Sequence, residues 1–489
     1  MRSLPLLSVL ACTASEPEAT PAVDHPFPED FAWGSATAGF QVDMGCPTWS
    51  DADCLDTASD WYQWVTDPGI VGDAGLYVTG EDVRNGPGMW ETFEDDIAAM
   101  AAAGHTSYRF SLEWSRLFPN DASAATSVEA LDDHVDADAV ARYHEMFAAM
   151  QAHGITPLVT VNHYVLPLWV HDGVACHADP DGCTANGWVD GDRMVPLIAL
   201  FTGWVGREFG GEVDGWVTLN EPLATSLAGY LQPGEDRSAP PGLTLDGART
   251  VAVTIHQVEG HAAMYDALHQ WDAEDADGDG VVVDVGIVMN MVAITPRDPD
   301  RPEDLEAVAH ADHIYHRLFL SALTSGDWDD DLDGTFDAVR PDLAGRLDWI
   351  GVNYYNELRV GFTGLQLLPE IPAFDFLPEF SWEPFPEGIA SALEVAASYE
   401  LPIVITENGS PQVDDADAIL SGHLRATWDA MQDGADVRGY HYWSWVDNYE
   451  WNHGFDLRFG LNALEADKSR TPRPVMGRLT EIIEANGLD

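Results

Sequence analysis

The fold class this sequence predicts is α/β: one closed (β/α)8 barrel, a TIM barrel, enlarged by loop insertions. Three observations predict it. Short β-rich runs alternate with amphipathic helical stretches through residues 24–489, and eight such runs occur in series. A series of that kind favours a closed parallel barrel over an open doubly wound sheet. No Gly-x-Gly-x-x-Gly follows the first strand, so a dinucleotide-binding fold has no support. Finally, polar and aromatic residues gather just after the runs, at the end of a barrel where chemistry resides. A length of 489 residues ordinarily suggests two or three domains. Insertions, however, carry barrels past roughly 400 residues as one domain.

The expected strands are Phe31–Ala36, Ser107–Leu112, Pro157–Asn162 and Trp216–Asn220 in the first half. Val285–Met291, Trp349–Tyr354, Ile403–Glu407 and Tyr440–Trp445 follow in the second. The expected helices begin with Glu91–Ala103, where Phe93, Ile97 and Met100 mark one face and Gly104 ends the run. Ala139–His153, Val195–Phe209, Val251–His269, Asp304–Thr324, Gly388–Tyr399 and Ala416–Met431 continue the alternation.

The net charge of −61, from 22 basic and 83 acidic residues, narrows the function. Such a field repels nucleic acid and anionic membranes and disfavours anionic substrates. It also argues for a salty or cation-rich environment that screens the self-repulsion. Lys468 is the sole lysine. Of the 18 Trp residues, several lie in loop-like sequence of the last third, and exposed indole faces suit sugar rings. Most of the 18 are expected in the core.

Residues 1–23 are expected to be an export signal and polar linker, ahead of a catalytic domain at 24–489. Arg2 supplies a short charged region and Leu4–Ala11 an apolar one, followed by Cys12 and the polar tract Thr13–Val23. The pattern resembles a lipoprotein signal, in which Cys12 would be lipidated. It departs from that pattern in its short apolar region and in Leu10, and a plain secretory signal or a cytosolic arm are the alternatives. An exported protein at the cell envelope, or secreted or periplasmic, is expected, with membrane contact only through the lipid. The remaining cysteines, Cys46, Cys54, Cys176 and Cys183, form two close pairs in polar loops. In an exported chain they read as two loop-clasping disulfides. A zinc site near His177 competes, but neither pair has tight Cys-x2-4-Cys spacing.

Two segments carry the chemistry: Thr218-Leu219-Asn220-Glu221-Pro222 and Ile405-Thr406-Glu407-Asn408-Gly409. Each puts a Glu at the end of an apolar strand. Two carboxyl groups facing one another split an acetal, one as acid and one as nucleophile. Singly, either Glu reads equally well as a structural residue. Company changes that reading: Gln41, Arg109, His163, Asn220, Asn353, Tyr355 and Trp443 occupy the other strand ends, and Asp447-Asn448-Tyr449-Glu450-Trp451 follows the last. A polyol needs such a ring of amide, imidazole, carboxylate and indole partners.

With these residues the chain resembles glycoside hydrolase family 1, the β-glucosidase/β-galactosidase family, from Phe27 to about Pro474. The resemblance rests on Phe31-Ala32-Trp33-Gly34-Ser35-Ala36-Thr37, Thr218–Pro222, Ile405–Gly409, Trp443–Trp451 and Phe455–Gly460. Gly39–Gly45, Ser59–Val65 and Asn85–Gly88 are similar to its archaeal-type branch, with Asp43 where that branch has Glu. The resemblance implies that Glu221 is the acid/base, beginning protonated, and Glu407 the ionised nucleophile. It implies that Arg109 and Tyr355 stabilise Glu407, that Asn220 holds the sugar 2-hydroxyl, and that Asn353 supports the pair. Gln41, His163, Glu450 and Trp451 would bind the other hydroxyls, Trp443 would floor the ring and Phe459 would wall it. Carboxyl groups about 5–5.5 Å apart would give a covalent glycosyl-enzyme and retention of configuration. The intact Glu450-Trp451 pair, with no Lys beside it, favours a neutral β-glycoside of glucose, galactose or fucose over a phospho-sugar. Net transglycosylation on the same intermediate, and a non-catalytic binding module on the same fold, are the other readings. No cofactor is expected for the chemistry.

One expectation lies outside the resemblance. Asp275-x-Asp277-x-Asp279-Gly280 and Asp329-x-Asp331-x-Asp333-Gly334 have the spacing of calcium loops, although Gly286 and Arg340 stand where a closing Glu belongs. Each precedes a strand, so one or two structural calcium ions are expected at the N-terminal face of the barrel, remote from the chemistry. Solvated turns in an acidic chain are the alternative.

Overall fold

Ala32–Ala36 (β1), Ser107–Ser111 (β2), Thr156–Asn162 (β3) and Gly215–Asn220 (β4) pair in parallel, each with the next. Asp284–Asn290 (β5), Trp349–Tyr354 (β6), Ile403–Asn408 (β7) and Val437–Trp443 (β8) continue the series, and β8 pairs with β1 to close the barrel. The structure, a computed structural model, describes residues 23–235, 237–364, 371, 374–381 and 383–489. The expected export signal with Cys12 lies outside the described residues. No helix among the described residues is long and apolar enough to cross a membrane.

Helices Met89–Ala102 (α1), Ala137–His153 (α2), Gly191–Phe209 (α3) and Gly247–Trp271 (α4) follow the first four strands. Pro302–Asp312 (α5), Gly388–Ala397 (α6), Ala416–Gln432 (α7) and Pro474–Ala485 (α8) follow the others. Their apolar faces and the outward faces of the strands form one continuous shell of buried side chains. Inside the barrel a smaller cluster of Val217, Val288 and Trp349 plugs the floor. Gly286 makes room for that plug, because a Cβ there would overlap the Trp349 indole.

Three details differ from the sequence reading. The helix expected over Asp304–Thr324 is interrupted by a wide turn at His313–Arg317, before Leu318–Thr324 resumes. There His313 and His316 turn to Asp329 and Asp312 at 2.8 and 2.9 Å. The last strand stops at Trp443, because the chain beyond it bonds to another segment: Leu461 N donates to Ser444 O at 2.8 Å. The closing helix α8, with Pro474 in its first turn, was not expected at all.

Cys46 is bonded to Cys54 and Cys176 to Cys183, the expected pairing, so these four cysteines offer no thiolate to zinc. Asp275 and Asp277 gather with Asp214, while Asp279 turns to the amide of Val281 at 2.7 Å. Asp329, Asp331 and Asp333 form a separate group, within a loop flanked by the short paired strands Asp327–Trp328 and Ala338–Val339. Loop amides already engage both sets, Gly278 N on Asp275 at 2.7 Å and Gly334 N on Asp329 at 3.1 Å.

Candidate active site

Strand ends place the two carboxyl groups. At the end of β4 the chain leaves the ladder: Glu221 adopts φ 41°, in the left-handed region, and Pro222 opens the helix Pro222–Ser226. That turn swings the Glu221 side chain inward, and its amide is held by Val288 O at 2.8 Å. Glu407, on β7, is the register partner of Asn353 on β6. Gly409 lets β7 end against Trp443, since a Cβ there would strike the Trp443 carbonyl oxygen. Glu221, Glu407 and Arg109 are all buried.

One hydrogen-bond network spans the two carboxyl groups. Arg109 on β2 donates to Glu407 Oε1 at 2.6 Å and to Asn220 Oδ1 at 2.8 Å. The Tyr355 hydroxyl donates to Glu407 Oε2 at 2.7 Å. Asn353 Nδ2 donates to Glu221 Oε1 at 2.7 Å and to Asn220 Oδ1 at 3.2 Å. Arg109 can only donate, so the Asn220 atom it meets is the oxygen, and the Asn353 atom facing that oxygen is Nδ2; this settles which end of the Asn353 amide meets Glu221 and leaves Oδ1 for the Thr406 hydroxyl at 2.8 Å. The Tyr164 hydroxyl lies 2.6 Å from Glu221 Oε2. Burial raises Glu407 above the ordinary glutamate range. The Arg109 charge pulls it down, the Glu221 charge raises it again, and hydrogen bonds from Tyr355 and Arg109 lower it.

The surrounding polar groups are poised for a ligand rich in hydroxyls. Two donors on Asn220 Oδ1 direct its Nδ2 to His163 Nε2, 3.1 Å away. Burial first and Arg109 second hold His163 well below its usual range, so the ring is neutral and accepts at Nε2. Its proton then sits on Nδ1, an atom with no protein partner among the described residues. Gln41 Nε2 reaches Asn448 Oδ1 at 3.1 Å and Glu450 Oε2 at 3.1 Å, leaving Oε1 without a protein partner among the same residues. Trp443 lies near-parallel to His163 at 5.9 Å between ring centres, and Trp451 stacks on Phe40 at 5.8 Å. Phe459 stands edge-on to Tyr355 at 5.8 Å. Most of the strand-end residues singled out in the sequence therefore meet around the two carboxyl groups, whereas Asp447 turns away to Arg473.

The family model of glycosyl hydrolase family 1 matches residues 23–488. The chain belongs to glycosyl hydrolase family 1. This family 1 hydrolase is 31% identical over 511 residues to a β-galactosidase of Pyrococcus woesei, covering 94% of this chain and 98% of that one. It is 34% identical over 488 residues to a β-galactosidase of Saccharolobus solfataricus, covering 91% and 92%. The crystal structure of the β-glycosidase from Thermosphaera aggregans matches with a TM-score of 0.81 and 26% identity, covering 95% of this chain and 98% of that one.

Two residues of the site were not legible as functional. Tyr164 follows His163 directly, but its φ of 69° is invisible in the sequence. Arg237 comes from the long insertion after Glu221 and meets Glu450 at 3.2 Å. No motif marks it, and it brings a cation beside a pair that the sequence showed only as free of lysine. Outside Glu221 a cavity of about 270 Å³ opens, lined by Leu223, Leu227, Met289, Tyr315, Asn290 and Arg237 among others. Its walls are largely apolar.

Proposed function

We propose that this family 1 hydrolase is a retaining β-glycosidase, removing terminal β-D-glucosyl or β-D-galactosyl residues through a covalent glycosyl-enzyme. The observation that carries the reading is the division of labour around the two buried carboxyl groups. Glu407 faces a full positive charge and a phenol, which suits an ionised nucleophile. Among the described residues Glu221 is hydrogen-bonded by an amide and a phenol, which suits the group that gives and takes a proton. In the first half-reaction Glu407 attacks the anomeric carbon while Glu221 protonates the departing oxygen. In the second, Glu221 takes a proton from water as water displaces Glu407. Asn220 keeps one amide N–H for the 2-hydroxyl, whose hydrogen bond strengthens in the transition state. Relatives named for both glucose and galactose support either sugar.

The test pairs two variants. Glu407→Ala should lose turnover and regain it with azide, forming an α-glycosyl azide, because azide attacks from the face the carboxylate occupied. Glu221→Ala should retain most activity on substrates with good leaving groups, since general-acid help is worth roughly 10²–10⁴-fold. A β-configured azide product, or equal losses across leaving groups, would sink the respective role. Export, expected from residues 1–23, is a separate proposal, and the two disulfides, which persist in oxidising compartments, support it.

A further inference from the structure

We infer that Tyr164 is a positioning residue for proton transfer, its hydroxyl being the prearranged donor that stabilises the Glu221 carboxylate as it forms. The inference rests on the reading of Glu221 as the acid/base group. Among the described residues each oxygen of Glu221 has one hydrogen-bond partner: Asn353 Nδ2 on Oε1 at 2.7 Å and Tyr164 on Oε2 at 2.6 Å. The Asn353 partner is fixed in role. Its Nδ2 is fixed by Asn220 Oδ1, the oxygen that also accepts from Arg109, so it offers Glu221 only N–H and can never accept a proton from it. A phenol hydroxyl can do both. It accepts from Glu221 when Glu221 is protonated and donates to it when Glu221 is ionised.

The placement of Tyr164 is held by the fold. The residue sits at φ 69°, a backbone conformation that a bulky aromatic rarely adopts. Its ring is lodged between His163 at 5.1 Å and Trp451 at 5.0 Å, ring centre to ring centre. Burial, with the Glu221 charge adding to it, holds the phenol well above its usual range, so the hydroxyl keeps its proton while Glu221 cycles. The chemistry balances with water as the second reactant. Glu221 gives its proton to the glycosidic oxygen as the C–O bond breaks, the leaving group departs as an alcohol, and Tyr164 O–H donates to the new carboxylate. When water then attacks the anomeric carbon and the bond to Glu407 breaks, the water proton returns to Glu221 and the hydroxyl turns back. A donor already in place where charge develops needs no reorganisation at that moment.

Tyr164→Phe tests this with the ring retained. The other charged and titratable groups around Glu221 stay in place: Glu407, Arg109, Tyr355, His163 and Arg237. With aryl β-glycosides of graded leaving group, kcat/KM should fall about tenfold or more for poor leaving groups and only about threefold or less for good ones. The alkaline limb of kcat/KM should move upward by about one pH unit, because the ionised form of Glu221 loses a donor. Equal losses at both ends of the series, or an unmoved limb, overturn the inference. Glu221→Ala measured beside it separates the two claims. Without a leaving-group contrast in Glu221→Ala, the acid/base reading fails. A contrast there with none in Tyr164→Phe removes only the role of the tyrosine. Should the phenylalanine variant not fold, fluorotyrosine placed at 164 is close to isosteric and a stronger donor. It should move the alkaline limb downward, and an unmoved limb overturns the inference equally.

Discussion

Arg109 shows how one residue organises this site. Its guanidinium reaches Glu407 and Asn220 from one buried position, and its Nε donates to Thr160 Oγ1 at 3.1 Å. Each contact uses a different edge of the planar fork, which no ammonium could reproduce. Arg109 also lowers Glu407 against the effect of burial. Arg109→Gln removes that charge, so Glu407 holds its proton to higher pH and fewer molecules carry the ionised nucleophile at any given pH. The acid limb of kcat/KM should therefore move upward. The loss of a charge-assisted hydrogen bond should cost roughly 10–100-fold at neutral pH. An acid limb that stays in place in a folded variant would contradict this account. Asn220, read in the sequence as a sugar ligand, proves also to be the junction between the two carboxyl groups.

Among the elements, the turn after β2 carries a buried carboxyl group that bears on stability. Glu113, just beyond Ser111, is buried with Asp43 and Asp56, and Arg116 lies 3.3 Å from Asp43. Burial first, then the Asp43 and Asp56 charges, push Glu113 up to about 8. Burial likewise raises Asp43 to about 6. The unfolded chain releases the Glu113 proton near the ordinary value of 4.5, whereas the folded chain keeps it until about 8. Stability contributed by this group is therefore full below 4.5 and is lost as the pH rises toward 8. Glu113→Gln keeps the shape without the proton. Its stability advantage over the parent should be small at pH 5 and grow to roughly 3–5 kcal/mol at pH 8. Denaturant melts across that range measure it, and a pH-independent difference would refute it.

Across the whole molecule, the net charge of −61 sets the electrostatics. Ion pairs such as Arg470–Asp96 and Arg473–Asp447, at 2.7 and 2.5 Å, use the few cations locally. The 22 basic residues remain far outnumbered by the 83 acidic ones. Raising NaCl from 0.1 to 1 M shortens the screening length from about 10 to about 3 Å, which relieves repulsion between surface carboxylates. Tm should rise with salt over that interval. The buried active-site pairs are screened much less, so kcat on a neutral glycoside should change little while the protein stays folded. A Tm that falls with added salt would show that local ion pairs outweigh the net field.

Local pattern along the chain is enough to specify the barrel and most of its site. The length and period of the strand runs, and the polar residues after each run, are local properties, and eight such units have one closed solution. Hence β6 is bounded to the residue, and Glu221, Glu407, Arg109, Asn353 and Tyr355 stand out without knowledge of any contact. Close cysteine spacing also points to the disulfide pairing, because short loops leave few partners. Packing between distant segments settled the rest. Tyr164 joins the site through a left-handed backbone angle, and Arg237 through the path of an insertion whose length says nothing of its course. The helix α8, with Pro474 at its start and Val475, Met476, Leu479 and Ile482 on one face, was legible and missed, whereas the turn at His313–Arg317 breaks a helix that looks continuous, and there His313 turns to Asp329 in the following loop. Periodicity reports which face of an element is apolar. It does not report where a loop returns, nor which two side chains, far apart in the chain, come to share one proton.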